Sequence, residues 1–261
     1  MSYWQGLLLG LVQGLTEFLP ISSSGHLVVA EAAVGLTTPG VMVEVVLHVA
    51  TVFAVLIVYR VRLWELFAGA VRGQRAAWHY LGLLVIGTIP AAFIGFLFAD
   101  LFERAFDSLF LVGVDFTVTG LILWSTRRVV TRAEASGPTS AGAAGVGFAQ
   151  AFAILPGISR SGTTVAAALW LGVEPVRAAE FSFLLAIPAI AGAAVLELPR
   201  LSTDVTAVGT GPLVVSFLGA LVAGVLAIRF LVALLRQRAF HRFAPYCWMI
   251  GGVTMVWALI R

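Results

Sequence analysis

The chain has one cysteine, Cys247, in 261 residues. An intrachain disulfide is excluded, and so is a cysteine-rich metal site. Lysine is absent: all 16 basic residues are arginine. Charge of either sign is scarce, at 11% of residues, where a soluble domain carries about 25%. No polar stretch is long enough to make a separate soluble domain. The start, Met1 to Gly14, lacks a basic region and a small-residue cleavage site, so the first apolar segment is expected to stay in the mature chain.

What is present is apolar surface. Hydrophobic residues make up 60% of the chain, against roughly 45–50% in a soluble domain. A water-soluble protein of this size could not hide that surface, and a membrane protein need not. A basic excess is one mark of nucleic-acid binding. Here it sits mainly in short loops between apolar segments, as membrane orientation requires, so a bilayer and not nucleic acid is the expected partner.

Two short apolar stretches come first, Tyr3 to Leu19 and Leu27 to Val34, separated by Pro20-Ile21-Ser22-Ser23-Ser24-Gly25-His26. Neither is a comfortable span, which needs about 20 apolar residues. Three longer stretches follow, Val41 to Tyr59, Trp78 to Ala99 and Leu109 to Trp124. After a polar, glycine-containing link from Arg127 to Ala141 the plan repeats. Gly142 to Leu155 and Thr164 to Leu171 flank Pro156-Gly157-Ile158-Ser159-Arg160-Ser161-Gly162-Thr163, and Val176 to Leu196, Leu213 to Leu235 and Tyr246 to Ile260 follow. Gln13 recurs as Gln150 and Ser24-Gly25 as Ser161-Gly162 at a spacing of 137, and Pro20 as Pro156 and Glu44 as Glu180 at 136. These matches favour an internal duplication, residues 1–126 and 140–261.

If each short pair forms a re-entrant hairpin, the arginines alternate in side. Twelve fall on one side, three (Arg104, Arg200, Arg261) on the other, and Arg160 on neither. The positive-inside rule places the twelve in the cytoplasm. Three crossings per half is odd, so the second copy must insert upside down. The expected fold is an all-α integral membrane protein with inverted repeats, two re-entrant hairpins and about six full crossings. Models with eight or ten crossings fit the same segments.

An unpaired charge in hydrocarbon costs about 2.5–3.5 kcal/mol even on lenient scales. Glu17, His26, Glu31, Glu44, His48, Asp115, Arg160, Glu180 and Glu197 therefore stand out. Gln13 and Glu17, four apart, share one helix face. Pro20 stops that helix, and the serines beyond it must lie in protein or line a wet cavity. Gly25 marks a close backbone approach or a positive φ. Arg160 supplies a planar fork suited to phosphate oxygens. Ser161 or Thr163 is expected to cap the helix after it. The two loops together would gather a carboxylate, an imidazole, hydroxyls and a guanidinium, an inventory for phosphoryl chemistry. Alternatively the serines are packing, Glu17 simply pairs with Arg160, and Glu44 and Glu180 are structural.

The stretch from Gln13 to His26, QGLTEFLPISSSGH, resembles the first signature of the undecaprenyl-diphosphate phosphatase family of the bacitracin-resistance type. Pro156 to Thr164, PGISRSGTT, resembles the second, and Glu180 to Pro188 and Gly87 to Ala91 are further matches. The family takes Glu or Gln at the place of Gln13, so the first carboxylate of its acidic pair is absent here. Ala50 stands where glycine is commoner. The resemblance implies hydrolysis of a C55 polyprenyl diphosphate to the monophosphate carrier and inorganic phosphate, recycling the carrier for cell-wall synthesis. It implies a multi-pass protein of the cell (inner) membrane with an outward pocket, assisted by a divalent cation, Mg2+ or Ca2+. A homodimer is compatible with it. A polyprenyl-phosphate transporter or flippase using the same pocket is the alternative.

The site residues expected on this basis are Glu17, Ser23, His26 and Arg160 for catalysis. Ser22, Ser24, Ser159, Arg160, Ser161 and Thr163 would bind phosphate, Glu17 would hold the metal, and Gln13, Glu44 and Glu180 would support them from behind. Three nucleophiles remain open: Ser23 with His26 as its base, His26 itself, or a metal-bound water. Ser23 is preferred, because a serine needs a nearby base and His26 follows it by three positions.

Overall fold

The computed structural model describes residues 1–34, 40–129, 137–197 and 209–261. Arg132, Arg200 and the side chain of Glu31, which entered the charge argument, lie outside the described residues. The described residues form α-helices and short turns, without a β-strand. The helices are α1 (Tyr3–Phe18), α2 (Ser23–Val34), α3 (Gly40–Val58), α4 (Arg60–Val71), α5 (Arg75–Leu97), α6 (Ala99–Phe106), α7 (Leu109–Ser125), α8 (Ser140–Phe152), α9 (Arg160–Trp170), α10 (Pro175–Glu197), α11 (Thr210–Arg236) and α12 (Ala244–Ile260).

Five spans, formed by α5, α7, α10, α11 and α12, are long and apolar enough to cross a membrane, and α3 with α4 adds a sixth if that bent pair is one span. The expected all-helical membrane architecture is therefore present. Many of the outward faces are apolar: Val85, Ile89 and Phe93 on α5, and Val214, Leu218, Val222 and Leu226 on α11, are all more than half exposed. Spaced by four, they form continuous stripes. Stripes that size would make an aqueous protein aggregate, and hydrocarbon covers them at no cost.

Two helices lie where loops were expected. α4 leaves α3 at an angle of 76°, and its exposed Val61, Trp64, Phe67 and Val71 share one side. The arginines of this segment had marked it as a polar connection. Its three-to-four residue apolar spacing is the helical signal they obscured. α6 has the same character, with Leu101 exposed beside Asp100, Glu103 and Arg104.

Small residues set the close packing. Gly6, Gly10 and Gly14 on α1 lie against Pro212, Ser216, Ala220 and Gly224 on α11, so closely that an added Cβ would strike backbone. Numbers rise together, so the two helices run parallel. Gly147 of α8 meets Gly87 and Pro90 of α5, and Gly95 lies beside Ile154 just past α8, again in parallel sense. Without a hydrophobic force between helices in lipid, such small-residue contacts drive association. α7 and α12 pack antiparallel, with Gly113 near Gly251 and Met255, and Gly120 near Ala244 and Trp248.

Candidate active site

The two irregular segments, Leu19 to Ser22 and Ala153 to Ser159, meet tip to tip. Gly25 lies against Gly157, and a Cβ on Gly25 would come within 2.9 Å of the Gly157 Cα and 2.6 Å of the Phe116 ring. Close approach, rather than a positive φ, is what requires glycine at 25. Ser22 does adopt a positive φ, 67°, a conformation uncommon outside glycine. Its surroundings enforce it: Ser22 Oγ accepts from the amides of Gly25 (3.3 Å) and Gly157 (3.2 Å) and contacts Ser24 Oγ at 3.3 Å. Ser22 thus ties the first tip to the second.

The second tip has a similar internal arrangement. Ser159 Oγ accepts from the Gly162 amide at 3.1 Å and contacts Ser161 Oγ at 3.3 Å. Ser159 is therefore the cap of α9, and not Ser161 or Thr163 as the sequence suggested: it alone has the extended backbone that turns its hydroxyl onto the first free amides. Ser161 Oγ instead donates to the Leu19 carbonyl at 3.1 Å, across to the first tip. Thr119 of α7 fixes the second tip from the side, donating to the Gly157 carbonyl (2.9 Å) and accepting from the Ser159 amide (3.0 Å).

Glu17 is the centre of the junction. It is 7% exposed. Its Oε1 accepts from Arg160 Nη2 at 2.5 Å, and its Oε2 accepts from Ser23 Oγ at 2.7 Å and Gln13 Nε2 at 3.1 Å. His48 Nε2 of α3 lies 3.9 Å from the same oxygen. In the offset of 137, Ser23 and Arg160 occupy matching positions, and both reach one carboxylate. The expected pairing of Glu17 with Arg160 is present, but it leaves Arg160 Nη1 buried without a hydrogen-bond partner. Thr163 Oγ1 is buried and unpartnered too. A buried donor is costly to leave unmet, so both are places where a ligand oxygen would be welcome.

His26 is turned away from Ser23. Its Nδ1 lies 2.7 Å from the Ser22 carbonyl and its Nε2 2.7 Å from the Tyr246 hydroxyl. The expectation that His26 activates Ser23 is thus corrected: the hydrogen bond from Ser23 goes to Glu17. One turn of α2 puts residues 23 and 26 on one side, but Ser23, at the start of α2, is within hydrogen-bond reach of Glu17 near the end of α1. Glu180 is corrected as well. It accepts from Arg62 Nε at 2.9 Å and Tyr80 hydroxyl at 3.3 Å, joining α10 to α4 and α5. Glu44 is linked to the site, among the described residues, by its backbone carbonyl, which accepts from His48 Nδ1 at 2.8 Å.

Sequence reasoning left His48, Tyr246 and Thr119 out of the site. Glu44 and His48, four apart in an apolar span, were a usable signal for His48. Tyr246 and Thr119 gave none, since each joins the site across more than 30 residues of chain.

A divalent cation would need hard oxygen donors. Among the described residues no group of three His, Cys, Asp or Glu side chains could hold one. Gln13 Oε1, however, is buried without a partner beside Glu17. An amide and a carboxylate oxygen fit an open site of the Mg2+ kind, in which substrate phosphates and water complete the shell.

The profile of the bacitracin resistance protein BacA family matches residues 6–253 of this sequence. The chain belongs to that family. Among its relatives, a protein named undecaprenyl-diphosphatase in Desulfatibacillum aliphaticivorans is 40% identical over 276 residues, covering 98% of this chain and 99% of the relative. Proteins of the same name in Carboxydothermus hydrogenoformans and Desulfosudis oleivorans are each 41% identical, covering 98% and 96% of this chain and 97% of each relative. As a BacA family member with these apolar helices, the chain is a multi-pass membrane protein.

Proposed function

We propose that this BacA family protein hydrolyses undecaprenyl diphosphate to undecaprenyl phosphate and inorganic phosphate, the activity for which its relatives are named. The carrying observation is the tip junction, where one buried carboxylate accepts from Ser23 and Arg160 while Arg160 keeps a buried, unpartnered Nη1. A carboxylate touching a hydroxyl is a nucleophile with its base. A guanidinium with a free nitrogen is a phosphate clamp.

In this reading the terminal phosphoryl group sits against Arg160 Nη1, Thr163 and the serines of both tips. Ser23 Oγ attacks its phosphorus and passes its proton to Glu17 Oε2. The bond to the bridging oxygen breaks, and the polyprenyl monophosphate leaves. Glu17 hands that proton on to the departing monophosphate; water then attacks the serine phosphorus, Glu17 takes one water proton and returns it to Ser23 Oγ as the serine O–P bond breaks, and inorganic phosphate leaves. Arg160 neutralises charge on the transferred group throughout. Mg2+ or Ca2+, when bound, supplies further neutralising charge to the diphosphate, and Gln13 Oε1 and Glu17 are the residues that would hold it. His26 stands beside the pocket as a proton donor or acceptor.

The same reading takes α1–α2 and α8–α9 as re-entrant hairpins of two inverted repeats in the cell membrane, with the pocket opening outward. The parallel packing of α1 on α11 and α8 on α5 supports it. Each hairpin rides on a long helix of the other half, so hairpins entering from opposite faces bring their tips together at mid-depth.

The test is phosphate release from undecaprenyl diphosphate by the purified protein in detergent, with chelator and with Mg2+ or Ca2+ restored. Metal-dependent release is expected. Movement of the lipid across vesicles with no phosphate released would overturn the hydrolase in favour of a carrier.

A further inference from the structure

We propose that Tyr246 is a positioning residue that holds the His26 ring in one orientation through both of its protonation states. The proposal rests on the reading that His26 serves the phosphate pocket.

The two residues lie on α2 and α12, 220 positions apart. His26 Nδ1 faces the Ser22 carbonyl at 2.7 Å. A carbonyl only accepts, so Nδ1 carries a proton. In the neutral ring Nε2 is then the acceptor, and its hydrogen bond among the described residues is with the Tyr246 hydroxyl, at 2.7 Å. The two rings are parallel within 2° at 5.8 Å, and the Phe116 ring meets the imidazole edge-on at 5.1 Å. Both nitrogens and two sides of the ring are thereby fixed.

The hydroxyl is the one part of this arrangement that adapts to a proton. It donates to Nε2 of the neutral ring and accepts from the Nε2 proton of the imidazolium by rotating its own hydrogen. A carboxylate or an amide N–H at that place would favour one state and penalise the other. The parallel rings lie side by side and meet through the hydroxyl, so phenylalanine keeps the ring in place and removes only the hydrogen bond.

Phosphate release from undecaprenyl diphosphate would be measured in micelles for the full-length wild type, Tyr246→Phe, His26→Ala and the double variant. Tyr246→Phe keeps the ring and removes the hydroxyl. It is expected to lower kcat about tenfold, less than the 10²–10⁴ that a general acid–base group itself contributes because the imidazole remains, while KM changes less than about twofold. In the His26→Ala background the same change should cost nothing more, because the two act as a unit. An unaltered kcat in Tyr246→Phe, or an equal loss in both backgrounds, would overturn the proposal. So would full activity of His26→Ala. The side-chain nitrogen NMR spectrum of His26 reads the same contact without turnover: Nε2 should move toward the position of an unbonded imidazole nitrogen in Tyr246→Phe. If the spectrum moves and no variant, wild type included, releases phosphate, the hydrolase reading fails and the positioning stands. If it does not move, the positioning fails whatever the activity.

Discussion

Arg160 Nη2 and Glu17 Oε1 are joined at 2.5 Å across 143 positions of chain, linking the start of α9 to the end of α1. Their side chains are 15% and 6% exposed. Such a pair stabilises little relative to apolar packing, but removing one partner strands the other. Its value lies in position. Glu17 holds the fork so that one nitrogen is satisfied and the other stays free at the junction of the two tips.

Arg160→Lys keeps the charge and loses the planar fork, so it cannot hold Glu17 and a phosphate oxygen together. Phosphate release should fall strongly, and Arg160→Ala should lose about 10³-fold or more, as arginines that neutralise a transferred phosphoryl group do. Near-normal turnover of a properly folded Arg160→Ala protein would remove the residue from the mechanism.

Glu17→Gln removes the base from Ser23 and the counter-ion from Arg160 at once. Activity should drop by roughly 10²–10⁴. Stability should fall too, with about 3–5 kcal/mol as the bound for breaking a buried pair. Thermal unfolding in detergent and single-turnover phosphate release measure the two effects separately. A variant with a lower midpoint but unchanged rate and metal dependence would leave Glu17 structural only.

Rapid quenching of the wild-type protein with undecaprenyl diphosphate should trap phosphoserine at Ser23. Ser23→Ala should abolish the trapped species and most turnover. Phosphohistidine at His26, or substantial turnover by Ser23→Ala, would move the attack to the imidazole or to water.

Gly14→Leu tests the packing that places Glu17. The new side chain would meet the Ala220 carbonyl and Gly224 amide of α11, and backbone cannot swing aside as a side chain can. The expected loss is at least the ~1–3 kcal/mol of an overpacked core, with activity falling as the first tip shifts. An unchanged unfolding midpoint would mean that α1 does not sit against α11.

Single cysteines at Gln74 and Asp107, in a Cys247→Ala background, test the orientation. Both positions are exposed. An impermeant maleimide added to intact cells should label Asp107→Cys and spare Gln74→Cys. Labelling of both from the same side would break the alternation that the arginines describe.

Much of the molecule could be read from the chain alone. Composition and the spacing of apolar runs gave the membrane class and nearly every long helix, because transfer energy and helical periodicity act over tens of neighbouring residues. The breaks at Pro20 and Pro156, the shared face of Gln13 and Glu17, and the matching of the two serine loops are likewise local facts. The helices α4 and α6 were hidden because their arginines and acids read as loop.

The sequence by itself determined that Glu17, Ser23, His26 and Arg160 do not belong in lipid and need protein or water around them. Only the tertiary structure decided who meets whom. Ser23 turns to Glu17 and not to the imidazole three residues on, His26 is held by Tyr246 from the last helix, and Glu180 is drawn off to Arg62 and Tyr80. The reason is physical: a side chain's partner across a hundred residues depends on which helices can approach closely. That is set by the combined shape of both surfaces, such as the glycines of α1 against α11, and not by a pattern within either segment.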